Sequence, residues 1–358
     1  MVCYTLPIDT SMVIDIDITS DFQNSISVFK IEQCKLQGYP HPLGIHKNIH
    51  FKMFTNPILD GNSADPAVIR LGEYYYMTLS EAGTTELTIY KSKILTDFRN
   101  AEKIVVYTTK NGQSNLWAPE MHLIDGHLYI YFCMDGNGKL HRNYVIQAIS
   151  DDPFGEWSEE ISLMPEEDGI DGTVMKHGDG KLYYIWASGG WLFLSRMFDP
   201  LTIGESRLIL RKPTSWWELQ GQTTNEGPFV IYKNGVSFLI FSASFTFEAN
   251  YCLGMMSIEG HRDPMVPSNW WYGNDYPVFW RNDDEDVYAP GHASFTVSPD
   301  GSETWMVYHA ASNTTHINGF RIARLEKIEW DENGYPVFPR PHGFNHPQAV
   351  PSGQLSIK

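Results

Sequence analysis

Five polar residues open five similar stretches of this chain: Asp65, Glu120, Asp171, Glu226 and His292 stand at intervals of 51 to 66 residues. Four of the five are acids, and no Lys, thiol or Ser nucleophile accompanies them. Such groups suit two tasks, holding a hard cation through oxygen or moving protons on a neutral substrate. Hydrolysis of a glycosidic bond is a task of the second kind. An inverting glycosidase needs a protonated carboxyl for the leaving oxygen and an ionised carboxylate to activate water, roughly 6.5–9.5 Å apart. A third carboxylate beside the acid would raise its pKa by like-charge repulsion and keep it protonated near neutrality. Three acids are then needed where two carry the protons.

Residues so far apart in sequence must be gathered by a repeating architecture. The five stretches read SADPAVIRLGEYYYM from Ser63, WAPEMHLIDGHLYIYF from Trp117, IDGTVMKHGDGKLYYIW from Ile170, NEGPFVIYKNGVSFLIF from Asn225 and PGHASFTVSPDGSETWMVYH from Pro290. Each has a small or acidic opening, an alternating strand, a Gly turn and an aromatic strand, which is one β-hairpin written five times. The intervals leave room for one four-stranded sheet per copy, the pattern of an all-β, five-bladed β-propeller whose innermost strands line a central channel. A β-sandwich would not open each hairpin with a similarly placed polar residue. Residues 1–50 show no repeat and read as an N-terminal extension, with the propeller over 51–358. The segment Phe54 to Leu59 is expected to join the last blade and close the ring.

Composition narrows the partners. The chain carries 11 Trp, 19 Tyr and 19 Phe among 29 Gly and 21 Pro, a mixture suited to short strands and tight turns. A net charge of −17 disfavours nucleic acid and anionic membranes and fits a neutral partner. No run approaches the ~20 apolar residues of a membrane span, and Asp9, Asp15, Asp17 and Asp21 interrupt the apolar core a signal peptide needs. Cys133 and Cys252 lie in apolar strand-like runs and read as buried thiols. Cys3 and Cys34 have no spacing that settles their pairing.

The motifs SADP, WAPE, IDGT, NEGP and PGH, in that order and at blade spacing, resemble glycoside hydrolase family 43 over about residues 54 to 355. Carried over position by position, the resemblance implies Asp65 as general base, Asp171 as pKa modulator and Glu226 as general acid, with inversion of configuration. The texture of YYYMTLSEAGTTELTIYKSKILTDFRNAEKIVVYTT and of YCLGMMSIEG is most similar to exo-acting α-L-arabinofuranosidases of arabinan breakdown. The substrate would be a neutral carbohydrate, arabinan, arabinoxylan or their oligosaccharides. By the same resemblance the chain would be extracellular and monomeric, although no export signal is visible. The chemistry itself requires no cofactor. His292 would hold a structural calcium ion in the channel through water and nearby acids, against a plain packing role. Arg321 would contact sugar and catalytic acid, against a surface salt bridge.

Trp117 reads as a sugar-stacking platform or a core aromatic, and Trp186 as pocket lining or core. Glu120 either lines the channel or braces the site. The pairs Trp216–Trp217 and Trp270–Trp271 read as structural caps or rim, and the run Asp283 to Asp286 as a solvated loop. Competing functions on the same scaffold are a β-D-xylosidase, an endo-arabinanase, a retaining levan or sucrose hydrolase with carboxyls ~5–5.5 Å apart, and a non-catalytic carbohydrate-binding propeller.

Overall fold

A computed structural model describes residues 26–30, 48–80, 85–135, 140–273, 275–315, 317 and 320–354. The chain divides into two compact units, a smaller one made of residues 1–55, 346–350 and 356–358 and a larger one made of 56–345 and 351–355. In the smaller unit Asn48–Phe54 pairs antiparallel with Ile26–Lys30 on one side and Gln348–Ala349 on the other. Cys3 and Cys34 lie outside the described residues.

The larger unit is a five-bladed β-propeller. Blade 1 runs outward through Ala64–Leu71, Tyr74–Ser80, Glu86–Ser92 and Glu102–Thr108, each strand antiparallel to the one before. Blade 2 follows with Trp117–Ile124, His127–Asp135, His141–Gln147 and Ile161–Ser162. In blade 3, Ile170–Lys176, Leu182–Ser188 and Trp191–Asp199 are followed by two short edge pieces, Thr202–Ile203 and Leu208–Arg211, both paired to the third strand. Blade 5 has Tyr288–Val297, Thr304–Ala311, Ile322–Trp330 and Pro336–Val337.

Blade 4 departs from the expected four strands. Asn225–Lys233, Val236–Ala243 and Cys252–Glu259 form a three-stranded sheet, and among the described residues its outer edge is met by single bridges, Leu253 to Phe279 and Ser257 to Trp271. The segment that supplies these bridges contains Pro264, Pro267 and Pro277, which lack the N–H a continuous ladder requires.

The second strands explain the apolar runs of the sequence. In HLYIYFCMD, His127–Asp135, every residue after the first is buried, because blades pack on both faces of this strand. Side chains from neighbouring blades interleave: Ile130 and Phe132 of blade 2 pack with Leu87 and Ile89 of blade 1, and Ile185 and Leu194 of blade 3 with Leu239 and Met256 of blade 4. Each such side chain contributes roughly 1.5–3 kcal/mol on burial.

Ring closure uses the start of the larger unit. Ile58 N–H donates to Ala323 O at 3.1 Å, Ser63 N–H to Arg321 O at 2.8 Å, and Leu325 N–H to the Asn56 side-chain oxygen at 2.9 Å. Residues 56–63 thus run along the third strand of the last blade, as expected from Asn56 onward. Phe54 instead pairs with Gln348 in the smaller unit.

Candidate active site

All five inner strands carry the same irregularity. The register against the second strand slips by one residue between Ala64 and Ala67, Trp117 and Glu120, Ile170 and Thr173, Glu226 and Phe229, and Gly291 and Ser294. These are β-bulges, and the first extra residue of each adopts left-handed φ: Asp65 at 53°, Ala118 at 45°, Asp171 at 56°, Gly227 at 52° and His292 at 47°. The equivalent positions are therefore Asp65, Ala118, Asp171, Gly227 and His292. Glu226 comes one residue before its bulge and Glu120 two residues after, so two of the five sequence markers are offset. An inserted residue shifts the alternation of side chains, which a count of spacing does not register.

Glycine is required where these bulges meet neighbouring rings. A Cβ at Gly172 would overlap the Tyr184 hydroxyl, and one at Gly291 would overlap the Tyr251 ring.

Asp65 is buried, and one carboxylate oxygen, Oδ1, faces three nitrogens: Arg321 Nη1 at 3.2 Å, His292 Nδ1 at 3.2 Å and His309 Nδ1 at 3.3 Å. Burial by itself would raise its pKa, but His292 and then Arg321 outweigh burial and hold the carboxyl well below the usual carboxylate range. His309 is fully buried, and burial pushes its imidazole down to about 4. The ring is neutral at pH 7, so its contact with Asp65 is not an ion pair. Its Nδ1 accepts the backbone N–H of Asp65 at 3.1 Å and so pins the left-handed turn of the bulge.

Asp171 Oδ2 accepts the N–H of Gly227 at 3.0 Å, which ties the bulge of blade 3 to that of blade 4. Burial first, and then the charge of Asp65, push its pKa up against the opposing pull of His292. Glu226 accepts a hydrogen bond from the Tyr251 hydroxyl at 2.8 Å. Burial, followed by repulsion from Asp171, pushes the Glu226 carboxyl up to about 7. His292 donates its backbone N–H to Ser242 Oγ at 2.8 Å, with its ring Nδ1 4.0 Å from Asp171 Oδ2. Burial works against its charge, but Asp65, Asp171 and Glu226 together raise its pKa. The His292 ring thus stands among three acids.

Beside Glu226 opens a cavity of about 260 Å³, lined among others by Trp117, His141, Asp168, Gln222 and Asn225. Trp117, on the cavity wall, stacks on His141 with ring centres 3.9 Å apart. Trp186 is in the core instead. It is stacked between Tyr184 and Phe193 and does not line this cavity, because the strand Leu182–Ser188 that carries it is buried on both faces. Glu120 lies along the channel, where it accepts from Thr173 Oγ1 at 2.6 Å and sits 2.5 Å from His122 Nε2. Cys133 and Cys252 are buried free thiols. Tyr251 and His309 were not singled out by the sequence reading. The available signal for His309 was an ionisable residue inside the apolar strand WMVYHA.

Among the described residues no three His, Cys, Asp or Glu side chains converge in a way that could hold a metal. His292 turns Nδ1 toward the carboxylates of Asp65 and Asp171.

A five-bladed propeller whose inner ring gathers Asp65, Asp171 and His292, with Glu226 on the wall of the cavity, has the layout of a glycosidase-type site. The chain belongs to glycosyl hydrolase family 43, whose family model matches residues 54–336. It is 33% identical over 310 residues to an extracellular exo-α-(1→5)-L-arabinofuranosidase of Streptomyces avermitilis, covering 80% of this chain and 63% of that protein. It therefore spans less than two thirds of that relative's length. A protein of the same description from Streptomyces chartreusis is 33% identical over 273 residues, covering 72% of this chain and 82% of that one. The crystal structure of an α-L-arabinofuranosidase from Lactobacillus brevis superposes with a TM-score of 0.76 at 29% identity, covering 82% of this chain and 98% of that one.

Proposed function

We propose that this chain is an inverting exo-α-L-arabinofuranosidase that releases terminal arabinofuranose from arabinan or arabino-oligosaccharides. The observation that carries the reading is the pair of opposite protonation states. Asp65 is held ionised beside Arg321 and His292, while Glu226 keeps its proton up to about 7 beside Asp171. Glu226 gives its proton to the glycosidic oxygen as the C1–O bond breaks. Asp65 takes a proton from the water whose oxygen attacks C1 from the opposite face, so the product hemiacetal has inverted configuration. Arg321 and His292 keep Asp65 ionised, His309 fixes its backbone, and Asp171 sets the pKa of Glu226.

Exo action is supported by the size of the cavity. At about 260 Å³ it falls below the ~300–1,000 Å³ of sites for larger ligands and suits a single terminal sugar. The names of the Streptomyces relatives favour arabinofuranose over xylose. The test is hydrolysis of 4-nitrophenyl α-L-arabinofuranoside and β-D-xyloside in parallel, with proton NMR of the first-formed anomer. Preferential release from the arabinofuranoside with inversion is expected. Preference for the xyloside would assign a β-D-xylosidase, and a retained anomer would overturn the division of roles between Asp65 and Glu226.

A further inference from the structure

In the segment between blades 3 and 4, two adjacent tryptophans point opposite ways. Trp217 is fully buried in the core between these blades, whereas Trp216 is 51% exposed. Trp216 is not a loose surface residue. Its indole N–H donates to Asp275 O at 3.1 Å, and its ring meets Tyr276 edge-on at 6.1 Å and Trp280 at 5.9 Å. Tyr276 is itself 72% exposed. The short helical turn Trp216–Glu218 is fixed from beneath by Glu218, which is fully buried. Glu218 pairs with Arg211 at 2.7 Å and accepts the N–H groups of Thr214 and Ser215. A rigid, solvent-facing aromatic cluster results, and immobilised apolar surface of this kind marks a binding surface more often than a lone exposed ring does.

The position of the cluster suggests its ligand. The same segment continues through Gln222 to Asn225 and Glu226, which line the cavity, and Gln220 Nε2 bonds back to Trp216 O at 2.7 Å. Asn225 donates to Glu218 Oε1 at 3.1 Å, so one buried carboxylate braces both the aromatic turn and the strand that carries Glu226. A general acid must stand on the side from which the leaving group departs. The remainder of a cleaved chain therefore lies on the Glu226 side of the cavity, where this segment runs.

We propose that Trp216, Tyr276 and Trp280 form a stacking platform for the leaving-group portion of an oligosaccharide, binding pentose units beyond the bond that is cut. The inference rests on the glycosidase reading above. Sugar rings present apolar C–H faces that pack on indole and phenol rings while their hydroxyls stay in water.

The test compares Trp216→Ala and Tyr276→Ala with the parent on two substrates. On 4-nitrophenyl α-L-arabinofuranoside, which has no extended leaving chain, kcat/KM is expected to stay within about twofold of the parent. On linear α-1,5-arabinopentaose kcat/KM is expected to fall about tenfold, mostly through KM, with Trp216→Phe recovering most of the loss. Equal losses on both substrates, or no loss on the pentaose, would overturn the platform. Should the parent hydrolyse neither substrate, the glycosidase reading fails separately. Calorimetric titration of the Glu226→Gln protein with arabinopentaose and xylopentaose then decides. Binding that Trp216→Ala weakens about tenfold supports the platform, and absence of binding to both overturns it.

Discussion

Replacing Glu226 with Gln should stabilise the protein while crippling its action on natural substrates, and the stabilisation should depend on pH in a defined way. In the folded chain the carboxyl titrates at about 7 instead of 4.5, because burial and the charge of Asp171 disfavour its ionised form. The folded state therefore holds a proton across the window from about 4.5 to 7 that the unfolded state has already released. Stability falls as pH rises through that window, and the whole penalty is present above pH 7. A rise of about 2.5 pKa units at ~1.4 kcal/mol each corresponds to ~3 kcal/mol. Glutamine has almost the same shape, accepts the Tyr251 hydroxyl through its amide oxygen and cannot ionise. Glu226→Gln should thus gain up to ~3 kcal/mol at pH 8.5, roughly 6 °C in Tm for a unit of this size, and little at pH 4.5. Differential scanning calorimetry of both proteins at the two pH values reads the effect directly. A Tm difference that is the same at pH 4.5 and 8.5 would refute the assignment of a raised pKa to this group. The activity of the same variant should collapse on arabino-oligosaccharides but persist in part on activated aryl glycosides, whose leaving groups need little protonation.

Asp171→Asn removes the charge that helps to raise Glu226, so the basic limb of the pH–kcat/KM profile should move below its wild-type position near 7. Arg321→Met leaves Asp65 with less counter-charge, and the acidic limb should move to higher pH, read from the same profile. His309→Leu strands the backbone N–H of Asp65, costing about 1–3 kcal/mol in urea unfolding, whereas Asn can present an oxygen where Nδ1 stood and should recover much of the lost kcat. A water-held calcium near His292 should make Tm fall on dialysis against EDTA, and an unchanged Tm would count against the ion.

The repeat and the three acids were legible because each blade begins with a short polar-to-apolar switch and continues into an apolar second strand such as HLYIYFCMD. The exact alignment of the five openings was hidden. Bulges change which residue reaches the axis, so Ala118 rather than Glu120 occupies the second position. Tyr251 and His309 act from a loop and a second strand, where sequence spacing attaches no meaning to them; Tyr251 reaches Glu226 across its own blade, and His309 reaches Asp65 only where the last blade meets the first. Trp186 follows the aromatic run KLYYI in the same way a pocket residue would, and its burial is decided by the packing of Tyr184 and Phe193 around it. The sparse outer edge of blade 4 follows from prolines whose effect on a ladder is local and legible, but whose position at the edge is not.

The left-handed bulges make the inner ring a set of interchangeable sockets. Every blade offers one backbone position with the same φ, and the occupant differs from blade to blade: two aspartates, a histidine, a glycine and an alanine. Aspartate, like asparagine, tolerates left-handed φ better than most residues, so carboxylates enter such sockets at little conformational cost. Gly227 and Ala118 carry no functional group, and a Cβ at Gly227 would already crowd His292 and Ser242. A polar residue in place of Ala118 would approach the axis without any change of scaffold, which makes blade 2 the place where a laboratory, or a lineage, could add a functional group to this ring without first removing another.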